Sequence, residues 1–216
     1  MKFLAKDPNS PIAAAGLRYI AGRNNAELLR LLCCEQKGFC AYTERVIQEH
    51  DSVDVEHFDR RKKGNDNYFN YYAVLHWANM RKRKKEGAAD GAQFFESLFF
   101  QSPSDFSRRI KWVAETNAYE EVDLADVEAK LLIEYLGFND LELWRQRRNH
   151  LARLADLFDC AQWGPAEQRA WFERHTEELS FVSALEGHLG LDLSGAVEAL
   201  AARLGDVQAE VRQTSP

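Results

Sequence analysis

Apolar residues recur with helical spacing over much of the chain, and glycine, proline and polar caps divide it into segments. The stretch NSPIAAAGLRYIAG predicts a helix that Ser10 caps, with Pro11 at its first position. A second helix is predicted from residue 26 to residue 36, because Gly38 just beyond it is a typical stop signal. The N-terminal region is therefore expected to be helical.

The second half of the chain is also predicted to be mostly helical. DLADVEAKLLIEYLG is a predicted helix with Asp123 as its candidate cap. DLELWRQRRNHLARLADLF is a second predicted helix of the same kind, which begins at Asp140. GPAEQRAWFERHTEEL has Pro165 in its first turn. SGAVEALAARLG is expected to start after Ser194 and to end at Gly205.

Between these regions, CAYTERVIQEHDSVDVEHF has strand character. Two short strands are predicted, around residues 45–48 and 53–57, with the turn-prone HDS between them. A polar loop follows, and residues 70–85 are predicted to form a helix whose basic last turns complement the helix dipole. The predicted order is strand, strand, loop, helix, and the predicted fold class is α+β and predominantly helical.

Composition allows an ordinary globular protein. The chain has 216 residues, 45% hydrophobic and 29% charged, and no window is long and apolar enough to cross a bilayer. MKFLAKDPNSP lacks the apolar region of a signal peptide, so a cytoplasmic protein without membrane association is predicted. Three of the four cysteines cluster in one segment, and we therefore expect reduced thiols rather than a disulfide framework.

Charge is distributed unevenly along the chain. The net charge is -6, yet nine basic residues and only one acidic residue, Asp66, lie between positions 60 and 85. A focused positive field suits a polyanion contacted at one site, although two solvated charge runs without a ligand are the simpler alternative. The candidate nucleic-acid contacts, expected to give salt-sensitive binding, are Arg60, Arg61, Lys62, Lys63, Arg81, Lys82 and Arg83.

The stretch VDVEHFDRRKKGNDNYFNYYAVLHWANMRKRKK places a carboxylate beside a histidine and follows them with asparagines. Hydrolysis of a phosphodiester needs a base that activates water and a cation that stabilises charge on the phosphoryl and leaving oxygens. His57 can act as the base, and Asn70 can hydrogen-bond nearby and fix its orientation. Glu56 and Asn79 can supply oxygen ligands, which favour Mg2+ or Mn2+ over zinc.

Several neighbouring residues have two interpretations. His76 lies three positions before Asn79, so both can share a helix face, and His76 can be an additional ligand or a phosphate contact. The aromatic residues nearby can stack on bases, although packing is the commoner role: Tyr42, Tyr68, Phe69, Tyr71, Tyr72 and Trp77. Four later aromatic residues form either a helical core or a partner surface: Trp144, Trp163, Trp171 and Phe172.

EHF, NYFNYYAVLHWANMRK and LLCCEQKGFCAYTE resemble HNH nucleases of the ββα-metal fold, and within them the PtuB-like family of Septu-type and retron anti-phage systems. In that family a helix ends in Glu-Gln-x-Gly-x-Cys-Ala-Tyr-Cys-Glu, which residues 35–44 match except at Thr43. A Glu-His-Phe strand follows, matched at residues 56–58. An Asn ahead of Cys-x-x-Cys-Asn-x-x-Lys matches Asn70, Asn79 and Lys82. With a later match in IEYLGFNDLELWRQRRNHL, the resemblance covers roughly residues 25–155.

The chain departs from the family at its zinc knuckles. The four ligand positions are Cys40, Thr43, Leu75 and Ala78, so three of the four cysteines are missing. A single cysteine cannot hold a tetrahedral zinc. No structural zinc is therefore expected, and packing of Leu75, Trp77 and Ala78 against the hairpin and the N-terminal helices is expected to replace it.

The resemblance implies a ββα-metal core with N-terminal helices and a C-terminal helical region. It implies an HNH nuclease domain over residues 1–160 and a helical extension over residues 161–216. The implied function is metal-dependent cleavage of nucleic acid in anti-phage defence, with one Mg2+ or Mn2+ per site; DNA is favoured over RNA, and both stay open as substrates. An ATPase subunit is the implied partner, contacting helices after Asp123. A catalytically inactive HNH-like binding module and an unrelated helical interaction module are the alternatives.

Overall fold

The computed structural model describes residues 4–63 and 67–214 and combines many helices with two small antiparallel sheets. The helices in these residues are α1 (Pro11–Ala14), α2 (Ala26–Glu35), α3 (His76–Arg83), α4 (Phe94–Ser97), α5 (Pro103–Arg109), α6 (Val127–Leu136), α7 (Leu141–Ala161), α8 (Pro165–Arg174), α9 (Val182–Leu189) and α10 (Ser194–Thr214). The strands are β1 (Val53–His57), β2 (Tyr71–Leu75), β3 (Ile110–Val113) and β4 (Ala118–Glu121). The predicted class, α+β and predominantly helical, is confirmed.

Most predicted helix boundaries agree with the structure. The Ser10 hydroxyl accepts a hydrogen bond from the Ala13 amide, and Pro11 opens α1. Three details were wrong. Helix α1 ends at Ala14, although the predicted helix extended over NSPIAAAGLRYIAG, which runs to Gly22. The cap of α6 is Asp126, whose carboxylate accepts from the Ala129 amide, rather than Asp123. Helix α10 continues past Gly205 to Thr214, so that glycine does not end it.

The hairpin differs from the prediction in one strand. Around residues 45–48 only Val46 pairs, in an isolated bridge with Phe39. The partner of β1 is β2, in antiparallel register from His57 opposite Tyr71 to Val53 opposite Leu75. The predicted helix from residue 70 therefore begins only at His76. The run YYAVL is buried throughout, and a short, continuously apolar run has no periodicity that distinguishes strand from helix.

The outer edge of β2 is covered by the end of α2 and the segment after it. The Gln36 side chain forms the pair of hydrogen bonds that a neighbouring strand would form with Ala73. Its Oε1 accepts from the Ala73 amide at 2.8 Å, and its Nε2 donates to the Ala73 carbonyl at 2.8 Å. The Ala41 amide also donates to the Ala73 carbonyl. These contacts fix the sheet from the β2 side, and β1 forms its other edge.

Three hydrophobic clusters fill the interior. The first joins the hairpin and α3 to α4–α6, with Phe58 stacked on Phe100 at a centroid distance of 5.3 Å. The second holds α7–α10 together with Phe39 and Val46. The third packs α1 and α2 against β2. Helices α8–α10 thus share a hydrophobic cluster with α7, Phe39 and Val46.

A buried carboxylate ties the two halves together. Glu44 accepts hydrogen bonds from the Tyr119 hydroxyl at 3.0 Å and from the Ser183 hydroxyl at 2.7 Å. Its backbone carbonyl accepts from the Phe181 amide at 2.7 Å. The segment before β1 is therefore fixed to β4 and α9. Among the described residues no helix is both long enough and apolar enough to cross a membrane.

Candidate active site

A groove of about 550 Å³ runs along β1. One wall comes from the segment between α1 and α2, through Tyr19, Asn24 and Asn25. The opposite wall is one face of α3, on which His76, Asn79 and Arg83 are spaced at three and four residues. All five residues of β1 border the groove. The groove therefore collects most of the residues for which chemistry was predicted.

Asp54 is the carboxylate that faces α3 in this groove. Its Oδ2 accepts a hydrogen bond from Asn79 Nδ2 at 2.7 Å and lies 2.9 Å from His76 Nδ1. The Asp54 side chain keeps 28% of its surface exposed, so the cluster is open to solvent. The prediction that His76 and Asn79 share a helix face is confirmed, because both reach the same carboxylate.

The donor atoms of this cluster suit a hard cation. Asn79 is buried, and its Oδ1 has no hydrogen-bond partner, which leaves a buried acceptor unsatisfied. Carboxylate and amide oxygens are the ligands that Mg2+ and Mn2+ prefer, and Mg2+ commonly keeps waters or substrate oxygens in its other positions. Within residues 4–63 and 67–214, no three His, Cys, Asp or Glu side chains form a metal-binding group.

Glu56, predicted as a metal ligand, has a different environment. It lies on the same face of β1 as Asp54, but its carboxylate is buried and forms an ion pair with Lys82. Lys82 also donates to the backbone carbonyls of His57, at 2.7 Å, and Phe58, at 3.2 Å. Lys82 has no exposed side-chain surface, so its predicted role as a nucleic-acid contact is wrong. A buried carboxylate needs such a partner, because an unpaired buried charge is strongly destabilising.

His57 lies at the end of β1 on the face opposite Glu56, as the alternation of a strand requires. Its imidazole contacts the Tyr19 ring edge-to-face at a centroid distance of 4.9 Å and the Tyr71 ring at 5.3 Å. The residue is 5% exposed and borders the groove. The predicted base is thus held at the groove between two tyrosines.

Asn70 lies immediately before β2, at the end of a short 3-10 helix (Tyr68–Asn70), and not at the start of a long helix as predicted. Its Oδ1 accepts from the Asp59 amide at 2.7 Å, and its Nδ2 donates to the Asp59 carbonyl at 2.9 Å. Its backbone carbonyl accepts from the Phe58 amide. Asn70 therefore fixes the chain that leaves β1 directly after His57, which makes it a positioning residue.

The seven predicted nucleic-acid contacts separate into different environments. Arg60, Lys63 and Arg83 border the groove. Arg61 forms two hydrogen bonds with the Asp59 carboxylate, at 2.9 and 3.0 Å, and Lys62 lies 3.6 Å from the same group. Burial alone would raise the pKa of Asp59, but the hydrogen bonds and charges of these two residues lower it.

Arg81 faces away from the groove. Its guanidinium lies over the Trp77 ring at 5.0 Å, and Arg45 lies over the same ring at 5.9 Å. Trp77 itself packs against two of the hydrophobic clusters. With Lys82 buried, three of the seven predicted residues remain as basic groups at the groove.

Two residues at the groove, Asp54 and Tyr19, were not predicted from the sequence. Asp54 could have been found from strand periodicity, because it lies two positions before Glu56 and must share its face. Tyr19 has no local signal, since it lies in an irregular segment and reaches His57 only through the tertiary fold.

Comparisons with known proteins add no further information about the groove. No protein-family model, curated protein or solved structure matches the chain. A function for the groove must therefore be argued from the residues that line it.

Proposed function

We propose that this chain is a metal-dependent HNH endonuclease that hydrolyses phosphodiester bonds in nucleic acid. The proposal depends on one observation. A strand, loop, strand and helix bring the candidate base His57, the Asp54–Asn79 pair and three basic side chains to one groove. These are the groups that the reaction requires: a base for water, oxygen ligands for a cation and positive charge for the phosphate backbone.

Asp54 and Asn79 would hold the cation, with His76 beside them. Bound Mg2+ or Mn2+ would supply Lewis-acid stabilisation of the charge that develops on the phosphoryl and leaving oxygens. Asp54 takes the role that the sequence suggested for Glu56, because the Glu56 carboxylate is already neutralised by Lys82. Arg60, Lys63 and Arg83 would hold the phosphates on either side of the scissile bond.

His57 would remove a proton from the attacking water. A general base must lie within hydrogen-bond reach of the proton that it takes, and His57 borders the same groove as the cation ligands. The hydrogen bonds that Lys82 and Asn70 make to the backbone of residues 57–59 hold the strand end in place. These contacts fix the backbone that carries the imidazole.

The four residues at the positions of the family's zinc ligands support the resemblance to HNH nucleases. Cys40, Thr43, Leu75 and Ala78 are all buried, and the Leu75 amide donates to Cys40 Sγ at 3.4 Å. Packing at these positions supports the expectation that no structural zinc is needed. Elemental analysis that finds one tightly bound zinc per chain would contradict this expectation.

The direct test is cleavage of plasmid, single-stranded DNA and RNA by the purified protein with Mg2+, Mn2+ or EDTA. Cleavage should require the cation, and His57→Ala should lower its rate by about 10²-fold or more without unfolding the protein. Glu49→Gln, at an exposed carboxylate before β1, is the matched control and should leave the rate unchanged. Full activity in EDTA or in His57→Ala would overturn the proposal.

A second comparison distinguishes the two candidate carboxylates. If Asp54 holds the cation, Asp54→Asn should raise the Mg2+ concentration needed for half-maximal cleavage. Glu56→Gln, measured on folded protein, should leave that concentration near the wild-type value because the Lys82 contact can persist. The reverse result would assign the cation to Glu56.

A catalytically inactive nucleic-acid or protein-binding module is the second candidate, and the low exposure of His57 favours it. Such a module would bind nucleic acid with a salt-dependent affinity but leave every substrate uncut with either metal. The cleavage assay and a binding titration on the same preparation separate the two functions.

The proposed biological role, an effector of anti-phage defence that works with an ATPase subunit, depends on the family resemblance. The aromatic residues Trp171 and Phe172 are buried in the core and cannot form the predicted partner surface. The most exposed of the large apolar side chains described after Asp123 are instead Leu124, Val127 and Leu141, at 88%, 62% and 61%. Co-expression with a neighbouring ATPase and size-exclusion chromatography test the partner, and loss of co-elution in Leu124→Asp would identify the surface.

A further inference from the structure

The irregular segment between α1 and α2 has a defined structure next to the candidate base. Asn25 closes it: its Oδ1 accepts from the Ile20 amide at 2.9 Å, and its Nδ2 donates to the carbonyls of Ile20, at 3.0 Å, and Arg23, at 2.9 Å. The Arg23 amide donates to the Ile20 carbonyl at 3.1 Å. The turn is therefore fixed by four hydrogen bonds within residues 20–25.

This turn holds Tyr19 against His57. Tyr19 is half-buried and packs on the hydrophobic cluster that contains Tyr71. Its ring meets the imidazole at 88°, and the Tyr71 ring meets it at 90°. Edge-to-face contacts at such distances are attractive and directional. The imidazole thus has an aromatic neighbour on the strand that follows it and another on a separate segment of the chain.

We propose that Tyr19 is a positioning residue for His57, and that the Asn25-closed turn keeps Tyr19 in place. This inference rests on the proposed nuclease function, because it assigns the contact to catalysis. Tyr71 is fully buried in β2 and cannot move independently of the sheet. Tyr19 is the partner that comes from the groove wall, so its ring restricts the orientation in which the imidazole meets a water in the groove.

The chemical step requires this restriction. The base takes a proton only when its free nitrogen points at the attacking water, and small displacements of a catalytic group can cost as much as ~10²-fold in rate. Substrate affinity depends instead on the basic residues of the groove. Loss of Tyr19 should therefore lower kcat and leave KM nearly unchanged, whereas a general collapse of the groove would change both.

The test combines NMR of His57 with kinetics of the full chain. In Tyr19→Ala, the His57 ring-proton resonance, assigned with His57→Gln, should move because an aromatic ring next to it is gone. With plasmid DNA and Mg2+, kcat should fall roughly 10- to 100-fold. Tyr19→Phe keeps the ring and should restore both values. Asn25→Ala should resemble Tyr19→Ala, and Ile20→Ala, at an exposed side chain in the same turn, should match the wild type.

The outcomes separate this inference from the proposed function. Cleavage that depends on His57 but is unchanged in Tyr19→Ala overturns the positioning role alone. Equal losses in Tyr19→Ala and Tyr19→Phe also overturn it, because they assign the effect to the hydroxyl. A wild-type protein that cuts no substrate overturns the proposed function and the catalytic role of Tyr19 together. An unchanged His57 resonance in Tyr19→Ala overturns the contact itself.

Discussion

The ammonium group of Lys82 pairs with the Glu56 carboxylate inside the protein, and neither side chain has appreciable exposed surface. Lys82 also donates to the carbonyls of His57 and Phe58, so a single buried cation satisfies one acid and two backbone groups at the end of β1. From the charge pattern of the sequence, Lys82 was predicted to contact nucleic acid. Its contacts instead make it part of the support for His57.

Replacing Lys82 should therefore destabilise the fold. Lys82→Met leaves Glu56 buried without a counter-charge, and breaking a buried pair from one side typically costs about 3–5 kcal/mol. The free energy of unfolding in urea, measured at pH 7, should fall by that amount. Lys84→Met, at an exposed position of the same segment, should change it by less than about 0.5 kcal/mol.

The double variant Lys82→Met, Glu56→Gln provides the control for charge. If the cost in Lys82→Met comes from the unpaired carboxylate, neutralising Glu56 should recover part of it. Additive losses in the double variant would show that the two side chains do not interact, in conflict with the ion pair.

Asn70 gives a second prediction, on the loop that follows β1. Asn70→Ala removes two hydrogen bonds to the Asp59 backbone and leaves a buried amide and carbonyl unsatisfied, which costs about 1–3 kcal/mol. Asn67→Ala removes only the exposed cap on the Phe69 amide and should cost less, about 0.5–1 kcal/mol. Urea unfolding of both variants measures the difference. Equal costs would contradict the assignment of Asn70 as the residue that fixes this loop.

The strand that carries His57 was predictable because its alternation is local. Asp54 and Glu56 lie on one face of this strand and His57 lies on the other, and such an alternation can be read from the local sequence. Strand β2 was not predictable in the same way, since YYAVL is buried on both faces and has no period. Its position depends on Gln36 and Ala41, which cover its outer edge from distant parts of the sequence.

The same difference between local pattern and tertiary packing applies to the residues of the candidate site. The sequence motif identified His57 and Asn79, both of which border the groove. It could not identify the burial of Lys82, because that depends on the packing of α3 against β1 and on the position of Glu56. Tyr19 likewise depends on how residues 16–25 fold back over β1. Local patterns thus indicate which residues can do chemistry, and tertiary packing decides which of them face the groove.

Gly187 gives a third prediction, on the packing of α9 against β3. A methyl group at this position would lie 2.7 Å from Cε3 and 3.0 Å from Cζ3 of Trp112, so Gly187→Ala forces the indole or the helix to move. Overpacking of this kind costs about 1–3 kcal/mol. Gly205→Ala, in a helix with nothing close to the added methyl, should instead stabilise by about 0.5–1 kcal/mol. Thermal unfolding should move in opposite directions in the two variants.

Lys6 gives the last prediction, which concerns pH. Its ammonium donates to the Tyr71 carbonyl at 2.6 Å and lies 4.2 Å from the Tyr68 ring centroid. Burial lowers the pKa of Lys6 to about 7 from 10.5, although the charge of Glu35 opposes the shift. Between pH 7 and pH 10.5, Lys6 holds a proton in the unfolded chain that it has lost in the folded chain. The free energy of unfolding contributed by Lys6 should therefore rise with pH, by at most about 1.4 kcal/mol per pH unit.

Cys33 makes the free energy of unfolding fall as pH rises, which is the opposite of the Lys6 effect. Burial raises the pKa of its thiol to about 12, so the unfolded chain loses the thiol proton at a lower pH than the folded chain. The wild-type curve alone therefore does not isolate Lys6, but its difference from Lys6→Met does. Urea unfolding between pH 7 and 9.5 should give a wild-type stability that rises relative to Lys6→Met. Lys130→Met, at an exposed position, is the control for loss of a positive charge. Parallel curves for wild type and Lys6→Met over this interval would show that Lys6 keeps its proton in the folded protein.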